Sequence, residues 1–229
     1  MKLIFIHGSG STGAHFYYQT RHFQDSEAVT LPGHPDGKPC TTLEGYVEWL
    51  RGYIAAKGYR DVVLAGHSMG GGITLLYGFL YPEEIKGLIS IGSGARLRVH
   101  PATLADHHDG ITDRAAWEKR QREEPYDYDP AVHEQVLESA LKVGPAVHYS
   151  DLMACDRFDL LGRVQEIKLP TLALCGTTDV ETPPRYTQYL TGHMPNARAV
   201  IIEGASHSIV LERPEESNRA IEEFLQTLP

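Results

Sequence analysis

Cysteine is scarce in this chain. Only Cys40, Cys155 and Cys175 occur, far apart, odd in number, and without a CxxC pair or a Cys/His ligand spacing. That excludes a disulfide framework and a structural zinc site. Long apolar runs are also missing: no stretch approaches the roughly 18 apolar residues of a spanning helix. The opening run, Leu3–Ile6, stops at His7-Gly8. It is too short for the core of a signal peptide and no small-residue cleavage site follows, so a cytoplasmic protein with no membrane partner is expected. Positive charge is in deficit, with 21 Lys and Arg against 30 Asp and Glu and a net charge of −9. Such a surface repels a phosphate backbone, so nucleic acid is not expected as a partner. Internal repeats and low-complexity segments are absent too.

What is present is an alternation of strands and helices. Apolar residues make up 41% of 229 residues, enough for one large α/β domain or one domain with an insertion. Strands are predicted over Lys2–Ile6, Glu27–Leu31, Asp61–Ala65, Ile85–Ile91, Thr171–Cys175 and Arg198–Ile202. Helices are predicted over Ala14–Phe23, from a capping box at Thr41-Thr42-Leu43-Glu44 to a stop at Gly58, and over Pro183–His193 and Pro214–Leu228. Alternation of this kind argues a parallel sheet covered by helices on both faces. It breaks between about Ala95 and Gln165, where only helical segments are found, near Pro101–His108, Asp113–Glu124, Pro130–Val143 and Pro145–Cys155.

One stretch organises the rest. Val62-Val63-Leu64-Ala65 reads as the end of a buried strand, Gly66-His67-Ser68-Met69-Gly70 follows, and a helix-like run begins at Ile73. A G-x-S-x-G pattern between strand and helix lifts its serine onto a sharp turn, where backbone crowding leaves no room for a Cβ at the flanking glycines. The serine hydroxyl then stands above a helix N-terminus, which favours negative charge. Ser68 is therefore the candidate nucleophile.

A serine hydroxyl needs a base, and the base needs an orienting acid. Twelve histidines are available. His207 is selected because it follows the last strand in Glu203-Gly204-Ala205-Ser206-His207-Ser208, at a carboxyl end, where chemistry gathers in open parallel sheets. Asp179 follows the strand Thr171–Cys175 at another carboxyl end, with Glu181 as the reserve acid. Donors for a developing oxyanion are expected from the Met69 N–H and from the loop His7-Gly8-Ser9-Gly10, where Ser9 N–H is preferred and Gly10 is the alternative. His7 and His34 read as turn-bracing residues.

These motifs resemble the α/β-hydrolase superfamily over nearly the whole chain: His7-Gly8, Leu31-Pro32-Gly33-His34, Gly66–Gly70, Leu169–Asp179 and Gly204–His207. More narrowly, the chain resembles the small carboxylesterase, lactonase and haloperoxidase-like members with a helical cap. The resemblance implies a Ser68–Asp179–His207 triad, an oxyanion hole at Ser9 and Met69, a core domain over 1–94 and 166–229, and a helical cap (lid) over 95–165. Members usually have two strands before the His-Gly strand, whereas here that strand is the first. The expected fold is thus a trimmed, mainly parallel six-stranded sheet with helices on both faces, its second strand exposed at an edge.

Leu97, Val99, Trp117, Tyr126, Tyr128, Val147, Tyr149, Leu152 and Met153 are candidates to line a pocket under the cap, with Leu97, Trp117, Tyr149 and Met153 chosen as substrate-binding. Arg96 and Arg98 sit where a substrate carboxylate would be held, or are solvated at the cap hinge. Asp106-His107-His108-Asp109 carries ligand types, but adjacent side chains on a helix diverge, so no metal is expected. The reading is a serine esterase, cleaving a small or medium uncharged ester or lactone through an acyl-enzyme, with no cofactor, as a monomer or homodimer. A thioesterase or a carbon–carbon bond hydrolase or lyase would use the same triad. A non-catalytic small-molecule receptor is the alternative of another class.

Overall fold

The computed structural model describes residues 1–229. Six apolar runs form strands: β1 (Lys2–Ile6), β2 (Ser26–Val29), β3 (Val62–His67), β4 (Ile85–Ile91), β5 (Thr171–Gly176) and β6 (Ala197–Ile202). They make one sheet in the order β2-β1-β3-β4-β5-β6, with every neighbouring pair parallel. The expected six-stranded parallel sheet is present, and β2 lies at an edge. The helices are α1 (Tyr17–His22), α2 (Leu43–Lys57), α3 (Met69–Leu80), α4 (Pro101–Thr112), α5 (Arg114–Glu123), α6 (Pro130–Val143), α7 (Pro145–Arg157), α8 (Pro184–His193), α9 (Ile209–Glu212) and α10 (Pro214–Leu225).

The strand order positions the site. From β1 the chain moves outward to β2, then returns past β1 to β3 and proceeds to the other side. The loops leaving β1 and β3 therefore diverge, and a crevice opens between them at the carboxyl ends.

Side-chain alternation along the strands divides the core between two faces. Ile4, Ile6, Leu64 and Leu88 pack with Tyr46, Leu50 and Ile54 of α2 and with Ile73 and Tyr77 of α3. Leu3, Phe5, Val63 and Ile89 pack on the other face with Ile209, Val210, Ile221 and Phe224 of α9 and α10. Most of these side chains are fully buried, each contributing about 1.5–3 kcal/mol relative to exposure.

Local signals account for most boundaries. Thr42 Oγ1 accepts the Gly45 N–H at 3.1 Å, and Gly58, at φ 66°, closes α2 by donating to Ala55 O at 3.0 Å. The expected capping box is not reciprocal, because the cap is Thr42 and the third residue on is Gly45, not Glu44. The helix expected over Ala14–Phe23 splits into a 3-10 turn, Gly13–Phe16, followed by α1. Its Phe16-Tyr17-Tyr18 run is a weak helix former.

Between β4 and β5 the chain inserts α4 to α7. The two necks of this insertion are tied together: Leu160 N–H donates to Ala95 O at 2.7 Å, and Arg96 and Asp159 form an isolated antiparallel bridge with a 3.6 Å ion pair. The last inserted helix is not loose. Ala154 and Cys155 of α7, and Phe158 just beyond it, belong to the same buried cluster as α2 and α3.

Candidate active site

Ser68 sits between β3 and α3 with φ 53° and ψ −117°, a conformation that side-chain-bearing residues rarely adopt. Crowding explains the flanking glycines. A Cβ on Gly66 would lie 1.9 Å from Gly70 O, and one on Gly70 would lie 2.1 Å from Ile6 O. The Ser68 N–H donates to Ile91 O at 2.9 Å, which ties the turn to the end of β4. Met69 is the first residue of α3, where a helical N–H has no acceptor within its own helix.

Asp179 and His207 meet across the ends of β5 and β6. His207 Nδ1 donates to Asp179 Oδ2 at 2.9 Å. Asp179 is fully enclosed, and His207 keeps 15% of its side chain exposed. The carboxylate has further donors: the Glu181 and Thr182 N–H groups each reach Oδ1 at 2.9 Å, and Thr182 Oγ1 reaches Oδ2 at 2.8 Å. Burial pushes the Asp179 carboxyl up, but His207 and Thr182 outweigh it and hold it below its ordinary value. Burial also pulls His207 down. The carboxylates of Glu181, Asp179 and Glu212 outweigh it and raise His207 to about 9.

The pair lies beside the serine turn. A Cβ on Gly92, the residue after Ile91, would be 3.4 Å from His207 Nδ1 and 3.5 Å from Asp179 Oδ2. His67, the residue before Ser68, donates from Nε2 to His207 O at 2.8 Å. Burial, with His15 and His207 nearby, lowers His67 well below its usual value, so it serves as a neutral brace. His207 Nε2 faces Glu181 Oε2 at 3.5 Å; no hydrogen bond joins it to Ser68 Oγ.

The loop after β1 closes the other side. Gly8 packs on Ser68, a Cβ there falling 3.1 Å from Ser68 Cβ. Ser9 N–H donates to no protein acceptor, whereas Gly10 N–H is taken by Asp151 Oδ2 at 2.9 Å. Of the two amides open at the sequence level, Ser9 is the one left free. His7 braces this loop, with Nδ1 bonded to Gly8 O at 2.8 Å and Nε2 accepting from Leu31 N–H at 3.0 Å. Burial, aided by His34, lowers His7 to about 3.

Other singled-out residues lie in the insertion or at its base. Leu97 is buried in the core near Gly72, and Trp117 is buried with Nε1 donating to His107 Nδ1 at 2.9 Å. Tyr149 packs edge-on to His108, and Met153 is half-buried. Arg98 pairs with Asp156 at 3.6 Å, as Arg96 does with Asp159. Asp106 turns to Arg120 at 2.6 Å, and no three His, Cys, Asp or Glu side chains are grouped as a metal requires. A cleft of about 220 Å³ opens beside the end of β4, between Arg96, Arg185, Tyr186 and Tyr189. A larger one of about 720 Å³ lies near Tyr59, Asp61 and Lys86, at the opposite ends of the strands.

Sequence reasoning missed Thr182, His67, Glu181's contact with Nε2, and Asp151. Only Thr182 had a local signal, a hydroxyl three residues after a turn aspartate.

Comparison with known proteins bears on the chain as a whole. A model of the alpha/beta hydrolase family matches residues 3–220. The chain is 27% identical to a putative esterase/lipase 2 of Mycoplasma genitalium, covering 98% of this chain and 89% of that protein. It is 26% identical to the (E)-2-((N-methylformamido)methylene)succinate hydrolase of Acinetobacter baylyi, covering 99% and 91%. A solved thermophilic esterase superposes with a TM-score of 0.83 at 29% identity, covering all 100% of this chain and 91% of that one.

Proposed function

The chain belongs to the alpha/beta hydrolase family, and from that premise we propose that it is a serine hydrolase cleaving a small or medium uncharged ester or lactone. The observation that carries the reading is the Asp179–His207 hydrogen bond of 2.9 Å set beside a serine on a strained strand-to-helix turn. Ser68 Oγ attacks the carbonyl carbon while His207 Nε2 takes its proton. Asp179, accepting from Nδ1, fixes the tautomer that leaves Nε2 as the acceptor, and stabilises the imidazolium. The oxyanion that forms is met by the N–H groups of Ser9 and Met69. Collapse of the tetrahedral intermediate returns the proton from Nε2 to the leaving alcohol. Water then attacks the acyl-enzyme by the same route and frees the acid.

Two observations favour an uncharged substrate. Arg96 and Arg98 are engaged by Asp159 and Asp156, which leaves them poorly placed to hold a substrate carboxylate. Glu181 beside Nε2 adds negative charge where an anion would have to approach. The insertion over 95–165 acts as a cap over the crevice, and the esterase and hydrolase names among the relatives support the reaction class.

The test is turnover of a short-chain 4-nitrophenyl ester by the wild type and by Ser68→Ala, with fluorophosphonate labelling alongside. The wild type is expected to turn over and to be labelled once, at Ser68. The variant is expected to lose about 10³-fold or more in kcat and to resist labelling. Undiminished turnover in Ser68→Ala would sink the reading.

A further inference from the structure

We propose that Asp151, on α7, is a positioning residue for the loop that carries the Ser9 N–H; this rests on the reaction proposed above. Asp151 is buried with no side-chain exposure. Its Oδ2 accepts from Gly10 N–H at 2.9 Å and from His34 Nε2 at 2.7 Å, and its Oδ1 accepts from Tyr46 OH at 2.7 Å. The three donors come from the loop after β1, the loop after β2 and α2, so one carboxylate joins the insertion to three parts of the core.

The neighbouring residues on the same face of α7 complete a grip. His148, three residues earlier, lies against Gly10: a Cβ there would be 2.3 Å from His148 Cγ. Cys155, four residues later, has Sγ 3.5 Å from Ser9 Oγ. Residues at i, i+3 and i+7 share a helix face, and here that face meets the Gly8–Gly10 loop from outside while Gly8 meets Ser68 from inside. Gly10 has φ 60°, so its own backbone preference does not fix the loop. The bond from Asp151 fixes the Ser9–Gly10 peptide, and through it the tilt of the Gly8–Ser9 peptide whose N–H is the proposed oxyanion donor. A carboxylate kept out of water is a costly way merely to pack a helix, since an apolar side chain would serve as well.

The experiment compares kcat and KM on a short-chain 4-nitrophenyl ester for the wild type, Asp151→Asn and Tyr46→Phe, with amide hydrogen exchange over residues 8–11. Asp151→Asn is expected to lower kcat about 10²-fold, as a displacement near 1 Å does. KM should stay within about threefold, because the lost interaction is made in the transition state. Gly10 exchange should quicken, and Tyr46→Phe should show a smaller loss of the same kind. A folded Asp151→Asn with wild-type kcat, or one that loses only through KM, overturns the proposal. If that variant does not fold, Tyr46→Phe decides: lowered kcat at unchanged KM supports it, and wild-type kcat overturns it. A Ser68→Ala variant that turns over like the wild type sinks the reaction reading instead. The exchange result then decides whether Asp151 holds the loop.

Discussion

Glu181→Gln should move the pH profile of this enzyme to lower pH. In the proposed reaction His207 Nε2 must be unprotonated to accept the serine proton, yet His207 is raised to about 9, chiefly by Glu181 once burial is overcome. At pH 7 only about one molecule in 100 has a neutral base. Glu181 Oε2 lies 3.5 Å from Nε2, which in bulk water is worth about 1.2 kcal/mol. The Glu181 side chain is 67% exposed, and exposed pairs measure up to about 1 kcal/mol. That converts to a shift of up to about 0.7 pH units, and to a gain of up to about fivefold in kcat/KM at pH 7. Asp179 and Glu212 still act on the ring, so the midpoint stays above the free-histidine value. The assay is kcat/KM on a nitrophenyl ester from pH 6 to 10, corrected for spontaneous hydrolysis. The acid limb should slide down while the alkaline plateau stays fixed. Salt at about 1 M, where the screening length is about 3 Å, should shift the wild type the same way and shift the variant less. An acid limb that stays put in Glu181→Gln, or moves upward, refutes the assignment of Glu181 as the group that holds the proton on Nε2.

Further outcomes can be checked in the same protein. Thr182→Val removes a 2.8 Å donor to Asp179 Oδ2 and should lower kcat about tenfold with little change in melting temperature, measured by steady-state kinetics and calorimetry. Gly70→Ala places a methyl 2.1 Å from Ile6 O; a cost above about 3 kcal/mol should lower Tm by roughly 10 °C. Stability should also fall on acidification. Burial is the main cause lowering His7 and His15 to about 3 from 6.5, so the unfolded chain binds more protons between those values. Their contribution is complete above about pH 6.5 and declines below it, by on the order of 2 kcal/mol each at pH 5. His207 has the opposite sign: raised to about 9, its contribution is complete below pH 6.5 and is lost as pH rises through 9. Denaturant midpoints across pH 4–10 should therefore peak near neutrality.

The parts of the site legible in the sequence are those written in short stretches. Gly66–Gly70 declares a crowded turn by its glycines, and Asp179 and His207 each follow an apolar strand by a few residues. The strand order could be anticipated for the same reason, since alternating elements admit few parallel arrangements. What was not legible depends on long-range packing. Asp151 meets His34 and Tyr46 across 117 and 105 residues, and nothing local distinguishes it from an ordinary helix aspartate. Nor does any local signal announce that Asp151 occupies the Gly10 amide and leaves the Ser9 N–H without a protein acceptor. Glu181 was visible only as a reserve acid; its place opposite Nε2 follows from how the loops after β5 and β6 face each other. Leu97 and Trp117 look alike in composition to pocket-lining residues, and only packing shows how deeply they are buried.

The closed neck of the insertion bears on how this chain can be rebuilt. Because Ala95 O and Leu160 N are 2.7 Å apart, the ends of the inserted segment are joined whatever lies between them. Exchanging that segment for one of another length changes the closure entropy only logarithmically, by about 0.6 kcal/mol for each doubling. A graft that replaces α4 to α6 and keeps α7 would preserve Ala154, Cys155 and Phe158 in the core, together with the carboxylate that reaches Gly10. The boundary for recombination is therefore Gly144, between α6 and α7, rather than the end of β4.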